Sequence, residues 1–101
     1  GETSLEGAKR EAWEEAGANI EVNELIGIYN IARLSQVHLI YRAKLIDNKV
    51  NAGPESQEVR FFSWDDIPWI ELAFPSVHWA LNHYKELENL TEFSPRKEGR
   101  V

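Results

Sequence analysis

Glu11, Glu14 and Glu15 are spaced i, i+3 and i, i+4 within a segment, Thr3 to Ala16, that reads as a helix. At about 100° per residue their directions fall within an arc of roughly 100°. That arc lies beside the apolar positions Leu5, Ala8 and Ala12. Like charges at such spacings each cost an isolated helix about 0.2–0.5 kcal/mol. Two things explain a cluster of this kind: a cation held between the carboxylates, or plain solvation of a Glu-rich face. Three converging carboxylates suit a hard, oxygen-seeking ion such as Mg²⁺ or Mn²⁺. Taken alone, the three glutamates fit solvation more often; the residues around them shift the balance.

Glu2 is followed by seven residues and then by Arg10-Glu11-Ala12-Trp13-Glu14-Glu15-Ala16-Gly17-Ala18. This run resembles the Nudix box, G-x5-E-x7-R-E-U-x-E-E-x-G-U, in which U is apolar. Every fixed letter from the first glutamate onward is present, Ala12 and Ala18 occupy the U positions, and the leading glycine falls before residue 1. The resemblance implies that Glu14 and Glu15 ligate the catalytic divalent ions, and that Glu11 ligates metal or positions the water. It implies a structural pairing for Glu2 and Arg10, which hold loop and helix together.

A second resemblance lies downstream, in Ser35-Gln36-Val37, Arg42-Ala43-Lys44-Leu45, Gly53-Pro54-Glu55-Ser56, Glu58-Val59-Arg60 and Ile67-Pro68 with Leu72-Ala73-Phe74. Together these are similar to a Nudix subgroup that includes the plant chloroplast FAD pyrophosphatase and bacterial ADP-ribose pyrophosphatase-like proteins. Those members carry an N-terminal zinc ribbon with cysteine pairs, whereas this chain has no cysteine. The family further implies displacement at phosphorus, with cations bridging the diphosphate and a carboxylate taking the proton from the attacking water. Such enzymes recruit another carboxylate from outside the box. By position Glu55 and Glu58 are the candidates, and Glu58 is preferred as a catalytic residue.

Several elements must position these groups. Thr3 and Glu6 have the spacing of a capping box, and Gly17 falls where a left-handed C-cap is wanted. Alternation predicts a strand over Asn19–Ile31, with Ile20, Val22, Ile26, Ile28 and Ile31 as its apolar positions. A clearer strand runs from Gln36 to Ile46, with Val37, Leu39, Tyr41, Ala43 and Leu45 on one face and His38, Arg42 and Lys44 on the other. Asp47–Gln57 reads as a loop, Glu58–Trp64 as a short aromatic strand, and Ser76 to about Leu90 as an amphipathic helix. The expected division is a Nudix-type domain over residues 1–92 and a loose tail over 93–101. Two central strands make a poor sheet. The resemblance implies a mixed α/β (α+β) Nudix-type α/β/α sandwich, and the incomplete sheet leads to the expectation that its N-terminal strands are missing. An open sheet edge in such a chain favours exchange with a second copy, a homodimer.

Substrate contacts are less defined. Arg33 and Arg42 are candidates for phosphate and Glu55 for substrate, while Tyr29, Phe62, Trp64 and Trp69 could stack on a ring or serve as core. His38, His78 and His83 lack the spacing of a zinc site, and no Ser–His nucleophile pattern accompanies them. With 17 acidic and 11 basic residues the net charge is -6. That balance argues against nucleic acid or an anionic membrane as partner. No signal peptide or membrane span is evident, and the absence of cysteine fits a cytoplasmic, reducing setting. The function expected is Mg²⁺-dependent (or Mn²⁺-dependent) hydrolysis of the diphosphate in a nucleotide conjugate such as ADP-ribose or FAD. The alternatives are a non-catalytic nucleotide-binding module and an inactive truncated fragment.

Overall fold

The computed structural model describes residues 1–54 and 58–99. Helix α1 spans Ser4–Ala16, strand β1 Ile20–Ile31, strand β2 Gln36–Leu45, helix α2 Pro75–Leu87 and strand β3 Arg96–Glu98. The strands form one sheet in the order β2-β1-β3. Residues 32–35 join β1 to β2; they are too few for a parallel crossover, so this pair is antiparallel. β3 runs parallel to β1, with Gly27, Ile28 and Tyr29 opposite Arg96, Lys97 and Glu98. The class is mixed α+β, as the alternation of elements in the sequence predicts. No helix among the described residues is long and apolar enough to cross a membrane. The chain forms two compact units, Gly1–Asn23 with Ala43–Ile67 and Glu24–Arg42 with Pro68–Val101.

In the first unit α1 begins and ends where the sequence places its caps. Thr3 Oγ1 accepts a hydrogen bond from the Glu6 backbone N–H at 3.1 Å. Gly17 adopts φ 58°, its N–H donates to the Trp13 carbonyl, and the Ala18 N–H donates to Ala12. The 5→1 bond from Gly17 is the left-handed closure that a glycine permits. The apolar face contributes less than expected. No residue of α1 is buried, Leu5 is 45% exposed, and Ala18 is the unit's one buried hydrophobic among the described residues. Backbone bonds hold the segments instead: Ile46 N–H to Asn19 O at 2.8 Å, Asn51 N–H to Ala16 O at 2.7 Å, and Gly53 N–H to Glu15 O at 3.0 Å.

The aromatic strand expected over Glu58–Trp64 does not form. Residues 58–63 carry no ladder, and a single 3-10 turn, Trp64–Asp66, follows them. A strand exists only beside a partner, and here Phe61 and Phe62 are exposed with no neighbouring strand among the described residues. The turn expected over 65–68 is present, pinned by Ser63 Oγ donating to Asp66 Oδ2 at 2.7 Å.

The second unit contains most of the core. Ile26 on one face of β1 and Tyr29 and Ile31 on the other are buried, as suits a central strand. From α2, Ser76, Ala80 and Leu87 are buried. Pro75 starts that helix at the position where its missing N–H costs nothing. Tyr29 is fully buried, stacks on His83 at 5.7 Å and shares a 2.8 Å hydrogen bond between its hydroxyl and His83 Nδ1. Burial pushes its phenol up to about 12.

β2 forms over Gln36–Leu45 with the two faces that alternation predicts, and its polar face is partly covered. Its apolar residues Val37 and Leu39 are exposed, while His38, Ile40 and Arg42 are half-buried. His38 Nδ1 lies 2.7 Å from the Ser76 hydroxyl, and Arg42 donates to the carbonyls of Leu87 at 3.0 Å and Leu90 at 2.8 Å. The last carbonyls of a helix need donors, and Arg42 supplies one to Leu87, where α2 ends, and another to Leu90 beyond it. The tail also departs from expectation: Arg96–Glu98 pairs with β1 as β3.

Replacing Tyr29 with Phe removes the hydroxyl and leaves His83 Nδ1 without its partner. A loss of about 1 kcal/mol is expected, read as a lower urea midpoint. An unchanged midpoint would show that His83 exchanges the tyrosine for water without cost.

Candidate active site

Arg10 organises the box. Its Nε lies 2.9 Å and 3.1 Å from the two Glu2 oxygens, and Nη2 lies 2.7 Å from Oε1 of Glu2. On its other side Nη1 donates to Glu14 Oε2 at 2.9 Å, and Glu11 Oε1 stands 3.8 Å from Nη2. One guanidinium therefore serves Glu2 by a forked pair and Glu14 by an i, i+4 pair. The structural pairing expected for Glu2 and Arg10 is present, and Glu14 joins it. The hydrogen bond from Arg10 holds the Glu2 carboxyl below its ordinary value, against a smaller opposing effect of desolvation. The same contact with Glu2 raises Arg10 further into the charged state.

Glu11 and Glu14 remain solvent-facing, with side chains 61% and 57% exposed. Their donor chemistry fits a hard divalent cation, which takes carboxylate oxygens. Among the described residues, however, no three His, Cys, Asp or Glu side chains stand close enough to share one ion. Of the two Glu14 oxygens, it is Oε2 that takes the bond from Arg10.

A cleft of about 630 Å³ opens at the carboxyl end of α1, lined by Trp13, Glu14, Glu15, Gly17, Asn51, Gly53 and Pro54. Trp13 is 63% exposed. Sequence reasoning missed the part played by residues 51–54, which read only as turn chemistry. Asn-Ala-Gly-Pro after a strand announces a turn, and nothing local says that the turn docks on a helix end.

The other candidate residues lie apart from this cleft's lining. Glu58 is on irregular backbone in the same unit, exposed and paired with Arg60 at 3.3 Å. Glu55 lies outside the described residues. Arg33 is exposed on the turn between β1 and β2. Arg42 is committed to Glu24 at 2.9 Å, to the carbonyls of Leu87 and Leu90 and to the ring of Phe93 at 5.1 Å. Among the aromatic candidates Tyr29 is core, Trp69 packs against His78 at 5.6 Å, and Phe62 is exposed. Ser76, His38 and Gln36 form a chain of hydrogen bonds at 2.7 Å and 3.0 Å. Ser76 is only 1% exposed, so the chain fastens β2 to α2 and offers no accessible nucleophile.

Comparison with known proteins agrees with the box. A family profile described as the NUDIX domain matches residues 1–87. A MutT-like protein of Streptomyces ambofaciens is 35% identical over 66 residues, covering 65% of this chain and 43% of that protein. The crystal structure of a NUDIX hydrolase from Nitrosomonas europaea matches with a TM-score of 0.85 at 39% identity, over 98% of this chain and 57% of that one. The chain thus spans about half the length of these relatives.

The Arg10–Glu2 pair makes a pH prediction. A carboxyl lowered in the native state contributes stability that is present above its unfolded value and is lost as pH falls through the lowered one. In a carboxyl-carbon NMR titration Glu2 is expected below the model-peptide value of about 4.3. Arg10→Met should move it back up; a Glu2 midpoint that ignores the substitution would refute the pairing in solution.

Proposed function

Because the chain belongs to the NUDIX domain family, we propose that it hydrolyses the diphosphate linkage of a nucleoside diphosphate conjugate such as ADP-ribose or FAD, using Mg²⁺ or Mn²⁺. The folded box supports this reading most directly. Glu11, Glu14 and Glu15 all lie on α1, and Glu14 and Glu15 line the cleft at its end. The substrate class rests on the downstream resemblance to the ADP-ribose and FAD pyrophosphatase-like subgroup.

Glu14 and Glu15 would be the main cation ligands, with Glu11 assisting. A bound divalent ion would neutralise charge developing on the diphosphate oxygens and lower the pKa of water at the site. Arg10 would keep Glu14 oriented through Oε2 while Oε1 turns to the ion, and the fork to Glu2 would keep Arg10 in place. Glu58, exposed in the same unit and paired with Arg60 at 3.3 Å, is the proposed base for the attacking water. Trp13, exposed on the cleft wall, offers a flat apolar surface to the conjugate. The reading includes a small-molecule partner, a cytoplasmic setting, and no nucleic-acid or membrane partner.

A second reading is a nucleotide-binding module without turnover. It is favoured by the lack, among the described residues, of three acidic or histidine side chains close enough to share an ion. Incubation with ADP-ribose, FAD, NADH and a nucleoside triphosphate, with and without Mg²⁺, separates the two. Metal-dependent release of AMP is expected from at least one conjugate. Glu14→Gln should lower it by at least about 100-fold, the upper end of what loss of an outer-shell partner costs. Binding of a conjugate with no product, and no effect of Mg²⁺, would favour the module.

A further inference from the structure

We propose that Gly53 is a positioning residue for the box carboxylates: the backbone of Asn51–Gly53 docks on the last turn of α1 and sets where Glu14 and Glu15 stand. The role rests on the metal-binding function proposed above for those glutamates. Four contacts, all between backbones, define the seam. The Asn51 N–H donates to the Ala16 carbonyl at 2.7 Å, and the Gly53 N–H donates to the Glu15 carbonyl at 3.0 Å. Gly17, at φ 58°, lies so close to Asn51 that a Cβ there would meet its backbone N and O at 3.0 Å. A Cβ on Gly53 would run into the backbone oxygen of Glu14 itself.

The chemistry of a helix end explains the arrangement. The final carbonyls of α1 have no partner within the helix and must find donors. Gly17 and Ala18 close the carbonyls of Trp13 and Ala12, and the loop supplies the donors for Glu15 and Ala16. Gly53 can donate to Glu15 only by lying flat against the carbonyl of Glu14, a distance that no side chain tolerates. The obstacle is backbone, so a methyl at residue 53 must displace either the loop or the turn that carries both glutamates. This packing matters more here than in most helices, because α1 has no buried side chain to fix it. Partners just outside a metal's own ligands are worth about 10- to 100-fold in affinity or activity.

The test compares the parent chain with Gly53→Ala and Glu14→Gln in a Mn²⁺ titration followed by electron paramagnetic resonance. Expected are Mn²⁺ binding by the parent, its loss in Glu14→Gln, and an affinity about 10- to 100-fold weaker in Gly53→Ala. Near-ultraviolet dichroism of the tryptophans and tyrosines should match the parent in Gly53→Ala. In turnover of the best conjugate, Gly53→Ala should raise the Mn²⁺ concentration needed for half-maximal rate by the same factor as its loss of Mn²⁺ affinity. Parent binding that is lost in Glu14→Gln but unchanged in Gly53→Ala would overturn the positioning role and leave the proposed function standing. A parent chain that binds no Mn²⁺ would overturn both. Should Gly53→Ala fail to fold, amide hydrogen exchange of the parent decides. Asn51 and Gly53 amides protected as well as those of α1 are expected, and free-peptide exchange rates at both would overturn the seam.

Discussion

The carboxyl end of α1 imposes the constraint on which the candidate site depends. A helix that ends leaves carbonyls pointing into space, and each must be met by a donor. Here the donors are backbone amides: those of Gly17 and Ala18 within the cap, and those of Asn51 and Gly53 from a loop far along the chain. Glu14 and Glu15 occupy that same final turn. Capping the helix and placing the carboxylates are therefore one event, and the two glycines allow it because main chain must approach main chain. With no buried side chain on α1, apolar packing does little to set its position.

Arg10 does for the side chains what the loop does for the backbone. Glu2, Glu11 and Glu14 would repel one another around one face, and the guanidinium stands among all three. Its fork to Glu2 is the stronger tie and its single bond to Glu14 the weaker, so Glu14 can turn toward a cation without freeing Arg10. The charges are exposed and screened, and single surface pairs of this kind contribute little to stability. Their value is orientation, which is what a carboxylate site requires.

The second unit follows a different logic, in which polar side chains are turned inward to satisfy helix α2. Arg42 reaches the carbonyl of Leu87 at its end and that of Leu90 beyond it, His38 meets Ser76 near its start, and His83 holds the buried hydroxyl of Tyr29. Among the described residues no buried side-chain nitrogen or oxygen lacks a partner. Buried polar groups are costly when unmatched, and matching them takes precedence over burying Val37 and Leu39 of β2.

The extent of α1, both its caps, the class of fold and the spacing of the carboxylates could be read from the sequence, because each depends on residues within one or two turns. Thr3, Gly17 and the helical period act locally, and so does the register that puts Glu11, Glu14 and Glu15 on one side. The Glu2–Arg10 pair was legible through the box, since a charge pair at that spacing has little else to do. What could not be read depends on distant partners. The aromatic run at 58–63 is an equally good strand by composition and lacks only a neighbour. β2 alternates correctly, yet which of its faces is covered is decided by α2, which asks for donors as well as apolar contact. Residues 96–98 are a strand only because the edge of β1 lies beside them. The docking of Gly53 on Glu14 has no local signature, because a glycine required for close approach and one required for a turn are written with the same letter. Tertiary structure alone distinguishes them, by what stands where the missing side chain would be.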